Sequence, residues 1–288
     1  MSDPDFIQDS GRTPKLKAPP KTCDTHSHIY GSLDRFPRQV ATTRLATVEA
    51  YTAMLERLGI ERCVIVHSSM YGYDNSVSLD AIAAIGQERA RGTAVIPLDI
   101  SDEALQQLHN GGMRGVRVSS SNDDITLATA DKVAERIAPL GWLLQVQEKE
   151  KGWIQTYTQM LKDLPCPVVF DHFGRTPPEE GAAGAEFQAL LRLLGDNDHI
   201  WVRLSALYTN SRSGPPDYAD LGERAKALVA IKPERLLWAL NWPHPGFVFP
   251  GVADSADCLD PFLEWIPDEK TRDMVFATNA GKLYGFDV

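Results

Sequence analysis

The chain has 288 residues, a length that suits a single α/β barrel domain, and it carries 29 Lys and Arg against 39 Asp and Glu. The net charge of −10 argues against nucleic acid and against an anionic membrane surface as partners. No apolar run approaches the roughly 18 residues of a membrane-spanning helix, and the polar, proline-rich start lacks an apolar signal region. We therefore expect a cytoplasmic protein with a flexible segment at residues 1–20 and one domain at residues 21–288.

Short apolar runs typical of strands alternate with amphipathic, helix-like segments along almost the whole chain. The predicted strands are 22–28, 62–69, 94–100, 115–120, 142–147, 167–171, 200–205 and 236–241. The predicted helices are 48–58, 78–91, 102–110, 130–140, 153–164, 183–194, 220–231, 255–265 and 268–277. Glycines are expected to end three helices, at Gly59, Gly111 and Gly141. This alternation predicts eight parallel strands with helices between them.

Two architectures can hold eight parallel strands, an open doubly wound sheet and a closed barrel. The open sheet needs a glycine-rich turn for phosphate after its first strand, and the sequence after His28 has none. We therefore predict a (β/α)8 TIM barrel. Chemistry in such a barrel takes place at the C-terminal ends of the strands, which is where His26, His172 and Asn241 lie.

The four cysteines show no Cys-x-x-Cys pair and no zinc-finger spacing. Three of them fall in or beside apolar strand-like runs. We expect reduced, buried packing residues at all four positions, which are Cys23, Cys63, Cys166 and Cys258.

Histidines are the main candidates for chemistry. His26 and His28 are two residues apart in a strand, so their side chains share one face and could hold a metal ion or a substrate oxygen. His172 ends the sixth strand and joins them at the same end of the barrel. His67 could face either the site or the helix layer. His244 lies between two prolines and is either a wall of the site or a structural cap.

Asn241 is the most informative residue, because it ends the eighth strand where the rest of the pattern leads one to expect aspartate. An amide cannot accept a proton at any working pH. The sequence thus predicts a site that does not activate water in the ordinary way.

Three segments together resemble the amidohydrolase superfamily: Asp-Thr-His-Ser-His at 24–28, Phe-Asp-His-Phe-Gly-Arg at 170–175 and Trp-Pro-His-Pro at 242–245. More narrowly, the chain resembles the branch that holds 2-pyrone-4,6-dicarboxylate lactonase and D-galactarolactone isomerase, from about residue 19 to residue 286. The resemblance implies a (β/α)8 barrel and chemistry on lactones.

Metal-dependent members of the superfamily add a lysine or a bridging carboxylate at strand four, a histidine at strand five and an aspartate at strand eight. The corresponding positions here are Arg117 and Ser119, Gln145 and Gln147, and Asn241. The lactone branch is known for working without metal, so the resemblance implies a site with no metal and no cofactor. The alternative is a zinc ion held by His26, His28 and His172.

The resemblance also implies a reaction, for which the catalytic candidates are His26, His28, His172 and Asn241. The imidazoles would donate hydrogen bonds to the lactone carbonyl oxygen and move protons. In the resembling lactonase an aspartate at strand eight deprotonates water. Asn241 removes that role, which leaves a hydroxyl of the substrate as the nucleophile. We therefore expect isomerisation of D-galactaro-1,5-lactone to the 1,4-lactone.

Three alternatives stay open at this point. The protein could be a lactone hydrolase that uses another base such as His172. Asn241 could be an inactivating replacement in such a hydrolase. The barrel could also bind sugar acids without turning them over.

An anionic sugar lactone is the expected partner, and Arg117 matches an arginine that the resembling lactonase uses to bind a carboxylate. Ser69 and Tyr71 match its residues after strand two. The loop at 119–124 is rich in hydroxyl groups where the lactonase has further arginines, which favours a polyhydroxylated substrate. Arg203 could contact the substrate or form an ion pair in the barrel wall. The remaining candidates for substrate binding are Ser119, Gln145, Tyr208, Arg212 and His244.

Overall fold

The computed structural model describes residues 11–37, 45–120, 122, 125–250 and 253–287. In this part of the chain, eight parallel strands form one sheet in sequence order. The strands are β1 Cys23–Ser27, β2 Arg62–Val66, β3 Ala90–Ala94, β4 Met113–Ser119, β5 Leu143–Gln147, β6 Val168–Phe170, β7 Ile200–Leu204 and β8 Leu236–Trp238. The segment after β8 meets the end of β1, where Asn241 N donates to His26 O at 2.9 Å and His28 N to Trp242 O at 2.8 Å. The predicted (β/α)8 barrel is confirmed.

Helices lie between the strands and cover the outside of the sheet. They are α1 Val48–Leu58, α2 Ser76–Ile85, α3 Asp102–Asn110, α4 Ala130–Ile137, α5 Trp153–Asp163, α6 Ala185–Asp196, α7 Leu207–Asn210, α8 Gly222–Ile231, α9 Phe262–Trp265, α10 Glu269–Asp273 and α11 Asn279–Tyr284, with a π-helix at Met274–Thr278. Helices α1 and α3 have the predicted bounds. Gly59 and Gly141 have φ of 71° and 65°, the left-handed conformation that lets them end a helix. Among the described residues, no helix is long and apolar enough to cross a membrane.

The prediction for strand three was wrong in position. It named residues 94–100, whereas β3 is Ala90–Ala94 and α2 ends before it at Ile85. The strand contains Arg91 and Gly92, so its apolar signal is weak. A Cβ atom on Gly92 would lie 2.4 Å from Met113 Sδ and 2.7 Å from Ile82 Cδ1, so glycine leaves room for these two side chains to pack against β3.

The last predicted helices also differ from the structure. The pattern at 255–265 predicted one helix, and the structure has a 3-10 turn at Ser255–Cys258 followed by α9. Pro261 lies between them and has no backbone N–H to continue a helix. The predicted strand at 236–241 ends at Trp238, because the backbone then turns toward β1 and Leu240 N donates to Asp24 Oδ1 at 2.9 Å.

The start of the chain lies against the barrel as far as it is described. Residues 1–10 lie outside the described residues, so flexibility there stays a prediction. Leu16 is buried, and the Arg12 guanidinium forms ion pairs with three carboxylates at 2.5 to 3.2 Å, those of Asp254, Asp257 and Asp260. The four cysteines are buried and unbridged, as expected.

Gly115→Ala should destabilise the barrel. Gly115 lies in β4, where an added Cβ would be only 2.8 Å from the backbone oxygen of Leu143 in β5. Relieving such a contact shifts one strand, and overpacking of this kind costs about 1 to 3 kcal/mol of unfolding free energy. Gly195→Ala in α6 is the matched control, because its nearest contact is the partly exposed Ile231 side chain at 3.3 Å. Urea unfolding should show a loss for the first variant alone; equal midpoints would contradict tight contact between β4 and β5.

Candidate active site

Three imidazoles meet at the C-terminal end of the barrel. His26 lies in β1, His28 follows it by two residues, and His172 follows β6. His26 Nε2 lies 3.3 Å from His28 Nε2, and the ring centroids of His26 and His172 are 4.8 Å apart. All three side chains are buried. The structure thus brings together the three histidines that the sequence singled out.

Hydrogen-bond partners assign the positions of the hydrogens on two of these rings. His28 Nδ1 lies 2.7 Å from Val66 O, and a carbonyl oxygen only accepts, so Nδ1 carries the hydrogen and Nε2 is an acceptor. His26 Nδ1 faces Arg203 Nη1 at 3.1 Å, and a guanidinium only donates. His26 therefore carries its hydrogen on Nε2 and donates it to His28 Nε2. Both rings are neutral in this arrangement.

Burial keeps the imidazoles neutral. It lowers the pKa of His26 to about 4, although the nearby Asp171 carboxylate pulls in the opposite direction. Burial likewise holds the pKa values of His28 and His172 well below the usual range, again against the attraction of Asp171. At neutral pH all three imidazoles are therefore neutral, and two of them, His28 and His172, line the cavity.

A buried ion pair lies beneath the histidines. Arg203 Nη1 bonds to Asp171 Oδ1, and both side chains are fully buried. Arg203 also donates to Thr25 Oγ1 at 3.1 Å and to Tyr284 Oη at 2.7 Å. Gln145 Nε2 donates to Asp171 Oδ2 at 2.8 Å. Burial opposes ionisation of Asp171, but His26 and Arg203 together hold its pKa well below the usual range.

The donor set fits a metal ion poorly. His26, Asp171 and His172 each place one ligand atom within 4.8 Å of the others. Both Asp171 oxygens already accept hydrogen bonds, one from Arg203 and one from Gln145. The Arg203 guanidinium is also a fixed positive charge beside His26, which opposes a second cation. For a zinc ion held by His26, His28 and His172, a hydrogen on His26 Nδ1 would have to share Asp171 Oδ1, 3.4 Å away, with the Arg203 guanidinium.

The backbone after β6 has an unusual conformation that places His172 and Arg175. Four consecutive residues have φ between 47° and 68°, and they are His172, Phe173, Gly174 and Arg175. Three of them are not glycine, so the segment is strained and must be held by its surroundings. Arg224 from α8 does this, because it donates to Thr176 Oγ1 and lies over the Phe173 ring at 5.6 Å.

Asn241 follows β8 with φ of 63°, a conformation that asparagine tolerates better than most residues. Its backbone N donates to His26 O, and its side-chain Nδ2 donates to Tyr208 Oη at 2.7 Å. The side-chain oxygen Oδ1 is buried and has no hydrogen-bond partner among the described residues. The amide nitrogen is thus bonded to protein, and the amide oxygen remains available as an acceptor.

A cavity of about 340 Å³ opens above the imidazoles. Its lining is polar and contains two arginines, Arg117 and Arg175. The remaining lining residues are His28, Tyr30, Ser68, Ser69, Met70, Gln147, His172, Thr209, Asn241, Pro245 and Gly246. Arg117 Nη1 donates to His67 O at 3.2 Å, while the buried Nε has no partner in the described part of the chain.

Some predicted site residues line this cavity and others support it. Ser69, Arg117 and Asn241 line it together with His28 and His172. Gln145 and Arg203 lie below the histidines. Of the two roles that the sequence left open for Arg203, the structure shows the ion pair, which lies inside the barrel.

The other predicted residues lie outside the cavity lining. Tyr208 bonds to Asn241, and His244 Nε2 lies 3.0 Å from Ser255 Oγ. Tyr71 and Ser119 are buried beside the cavity without lining it. Arg212 is exposed, and its backbone N donates to Asp220. Of the predicted serine-rich loop at 119–124, residues 121, 123 and 124 lie outside the described residues.

Sequence reasoning missed Arg175, Gln147 and Asp171 as parts of the site. Arg175 and Gln147 line the cavity, and Asp171 bonds to Arg203 and Gln145 beneath it. A signal existed for Arg175, because it lies three residues after His172 at a strand end. Gln147 lies on the same face of β5 as Gln145, two residues closer to the C-terminal end of the strand.

The chain resembles a known protein family over almost its whole length. It matches the amidohydrolase family over residues 23–286, and it belongs to that family.

The relatives named in the comparison act on lactones. The 4-sulfomuconolactone hydrolase of Hydrogenophaga intermedia is 31% identical over 281 residues, which cover 93% of this chain and 89% of the relative. The 2-pyrone-4,6-dicarboxylate hydrolase of Comamonas testosteroni is 31% identical over 285 residues, covering 94% and 92%. The D-galactarolactone isomerase of Agrobacterium fabrum is 28% identical over 282 residues, covering 96% and 94%. An apo crystal structure from Agrobacterium tumefaciens has a TM-score of 0.86 at 28% identity, over 96% of this chain and 98% of that one.

Asp171→Asn should destabilise the protein strongly, because it leaves the fully buried Arg203 without an anionic partner. Breaking a buried pair from one side costs about 3 to 5 kcal/mol of unfolding free energy, and adding Arg203→Met should restore part of it. Since the folded pKa of Asp171 lies below the unfolded value of about 3.9, the loss should be constant above roughly pH 5 and shrink only below about pH 4.

Denaturant titrations of the single and double variants measure these effects. Glu264→Gln is the control, since it breaks the exposed pair with Lys226 and should change stability by less than about 1 kcal/mol. Equal losses for Asp171→Asn and Glu264→Gln would contradict the role of the buried pair.

Proposed function

We propose that the protein is a lactone isomerase that converts D-galactaro-1,5-lactone to D-galactaro-1,4-lactone. The observation that carries this proposal is Asn241 in the wall of the cavity, at the end of β8 and next to the imidazoles. A carboxylate there could take a proton from water, and an amide cannot. The acyl group then passes most readily to a nucleophile that the substrate itself supplies. The similarity to the Agrobacterium fabrum isomerase supports the identity of the lactone.

Two arginines support a substrate with carboxylate groups. Arg117 is 7% exposed, and among the described residues its side chain donates a single hydrogen bond, to His67 O, so most of its donors are left for a ligand. Arg175 lines the same cavity, and no hydrogen bond joins its side chain to the described residues. A planar guanidinium binds a carboxylate through two parallel hydrogen bonds. These local charges attract an anion despite the net charge of −10.

The rest of the lining suits a polyhydroxylated molecule of modest size. Hydroxyl and amide groups of Ser68, Ser69, Thr209 and Gln147 surround the cavity. They offer both donors and acceptors to sugar hydroxyl groups. A volume of about 340 Å³ lies at the lower end of the range for small-molecule sites, which suits one six-carbon acid.

The reaction balances within the substrate. The 4-hydroxyl oxygen attacks the lactone carbonyl carbon and forms a new C–O bond, and the bond from that carbon to the ring oxygen breaks. One proton leaves the 4-hydroxyl, and one proton reaches the released 5-oxygen. The neutral imidazole of His172, which faces the cavity, can accept the first and supply the second.

The negative charge that develops on the carbonyl oxygen needs hydrogen-bond donors already in place. The guanidinium groups of Arg117 and Arg175 are charged hydrogen-bond donors that line the cavity. Donors fixed in a cavity that excludes water stabilise such an oxyanion strongly. The bonds beneath the imidazoles keep those rings from reorienting during the reaction.

A second candidate is a lactone hydrolase. It is favoured by the two relatives that are 31% identical, both of which are named as hydrolases. In this case His172 takes a proton from water, and open-chain acid is the product. The two reactions differ in a simple readout, because hydrolysis releases acid and isomerisation releases none.

Asn241→Asp should shift the product from 1,4-lactone toward open-chain acid. The two side chains are nearly isosteric, and the carboxylate restores a base whose contribution is typically about 10² to 10⁴ in rate. Proton NMR of fresh 1,5-lactone with each protein measures the two products. Asn110→Asp at the exposed end of α3 makes the same charge change away from the cavity and should leave the products unchanged. Native protein that makes mainly open-chain acid would contradict the isomerase proposal.

We also propose that the reaction needs no metal, because Arg203 occupies the donor atoms of Asp171 and His26 that a cation would need. Protein purified without chelator should contain well under one equivalent of zinc or manganese by elemental analysis. Its turnover should be unchanged after incubation with a strong chelator and after addition of zinc. Stoichiometric metal together with activity that a chelator removes would show that the site binds metal in solution.

A further inference from the structure

We propose that Tyr208 is a positioning residue that fixes the amide of Asn241, so that Asn241 Oδ1 accepts a hydrogen bond from the attacking hydroxyl of the lactone. This inference rests on the proposed isomerisation and assigns to Tyr208 a role that differs from direct contact with substrate.

Tyr208 orients the side-chain amide of Asn241. Tyr208 Oη accepts from Asn241 Nδ2 at 2.7 Å, and the phenol hydrogen points toward the backbone oxygen of Asn241 at 3.4 Å. Because that hydrogen is directed at a carbonyl, the phenol oxygen can only accept a hydrogen bond from the Asn241 side chain. The amide must therefore turn its N–H end toward Tyr208 and its oxygen away.

The phenol is suited to this role. Burial raises the pKa of Tyr208 well above its usual range, so the group keeps its hydrogen at every working pH. The ring packs edge to face against His244 and against Phe247, with centroid distances of 5.6 Å in both pairs. These contacts come from the loop after β8, which follows Asn241 along the chain. Tyr208 therefore joins the segment after β7 to the segment after β8 at the edge of the cavity.

The side-chain oxygen of Asn241, Oδ1, is available to a ligand. Asn241 lines the cavity, and its Oδ1 is buried without a partner among the described residues. Leaving a buried oxygen unpaired is unfavourable, so a ligand group that donates to it gains the hydrogen bond at little further desolvation cost. A lactone offers hydroxyl groups as donors. The hydroxyl that attacks the carbonyl is the one expected beside the end of β8, above the imidazoles.

The chemical consequence is control of the nucleophile. An amide oxygen holds the hydroxyl hydrogen without removing it, which orients the hydroxyl oxygen toward the carbonyl carbon. When the new C–O bond forms, that hydrogen becomes acidic and passes to a neutral imidazole, and from there to the ring oxygen that leaves. No oxidant, reductant or further reactant enters the step.

Binding of two unreactive ligands tests the inference. The probes are the 1,5-lactam of galactaric acid, in which NH replaces the ring oxygen, and the same lactam without its 4-hydroxyl. Calorimetry should show that Tyr208→Phe weakens binding of the hydroxylated lactam by about five- to ten-fold, the loss of one oriented hydrogen bond. Binding of the deoxy lactam should change by less than two-fold. For turnover of the 1,5-lactone, Tyr208→Phe should raise KM by a similar factor and also lower kcat, because the attacking hydroxyl is no longer oriented toward the carbonyl carbon.

Tyr218→Phe is the matched control. Tyr218 also follows β7 and has the same exposure of 2%, but it does not bond to Asn241. This variant should bind both lactams as the native protein does. Thermal unfolding of both variants separates a loss of folding from a loss of positioning.

Two results with the lactams would overturn the role of Tyr208. Equal weakening of both lactams by Tyr208→Phe would show that the ring only packs the loop, and no weakening of either would show that the amide needs no phenol; each overturns the inference. If the native protein hydrolyses the 1,5-lactone while the hydroxyl-dependent weakening persists, positioning by Tyr208 stands and the proposed isomerisation falls.

Discussion

The buried ion pair between Arg203 and Asp171 is the interaction on which the site depends. It joins β7 to the end of β6 inside the barrel, and the same guanidinium donates to His26 in β1. A charge with no exposure to water is stable only when its partners are complete, and Arg203 has four, including Thr25 and Tyr284. This network assigns the tautomer of His26, whose Nε2 then donates to the His28 ring. The chemistry above is therefore set by polar contacts below the cavity floor.

A second constraint is the balance of charge around the cavity. Three imidazoles are neutral because burial lowers their pKa values, and the Asp171 carboxylate below them is neutralised by Arg203. The cationic groups that remain toward solvent are Arg117 and Arg175. The positive charges of Arg117 and Arg175 thus favour an anionic ligand in the cavity and disfavour a metal cation. Asn241 completes this arrangement, since an aspartate there would add a negative charge beside the ligand.

Much of the fold could be predicted, because the alternation of apolar runs and amphipathic segments requires only local information. Helices α1 and α3 were placed to the residue, since Gly59 and Gly111 mark their ends. Strand β3 could not be located from its own residues, because Arg91 and Gly92 are explained only by the neighbours that pack against them. Strand ends shifted for a similar reason: β8 stops at Trp238 where the backbone turns to bond with Asp24 in β1.

By itself the sequence determined the barrel, the strand ends at which the histidines meet and the presence of an amide at the end of the eighth strand. Those features follow from periodicity and residue type, which are local properties. Only the tertiary structure decided which arginine serves which purpose. Arg203 points into the barrel and pairs with Asp171, whereas Arg117 and Arg175 line the cavity. The three residues have the same side chain, and their roles differ because burial and the nearest partner are set by elements far apart in the chain.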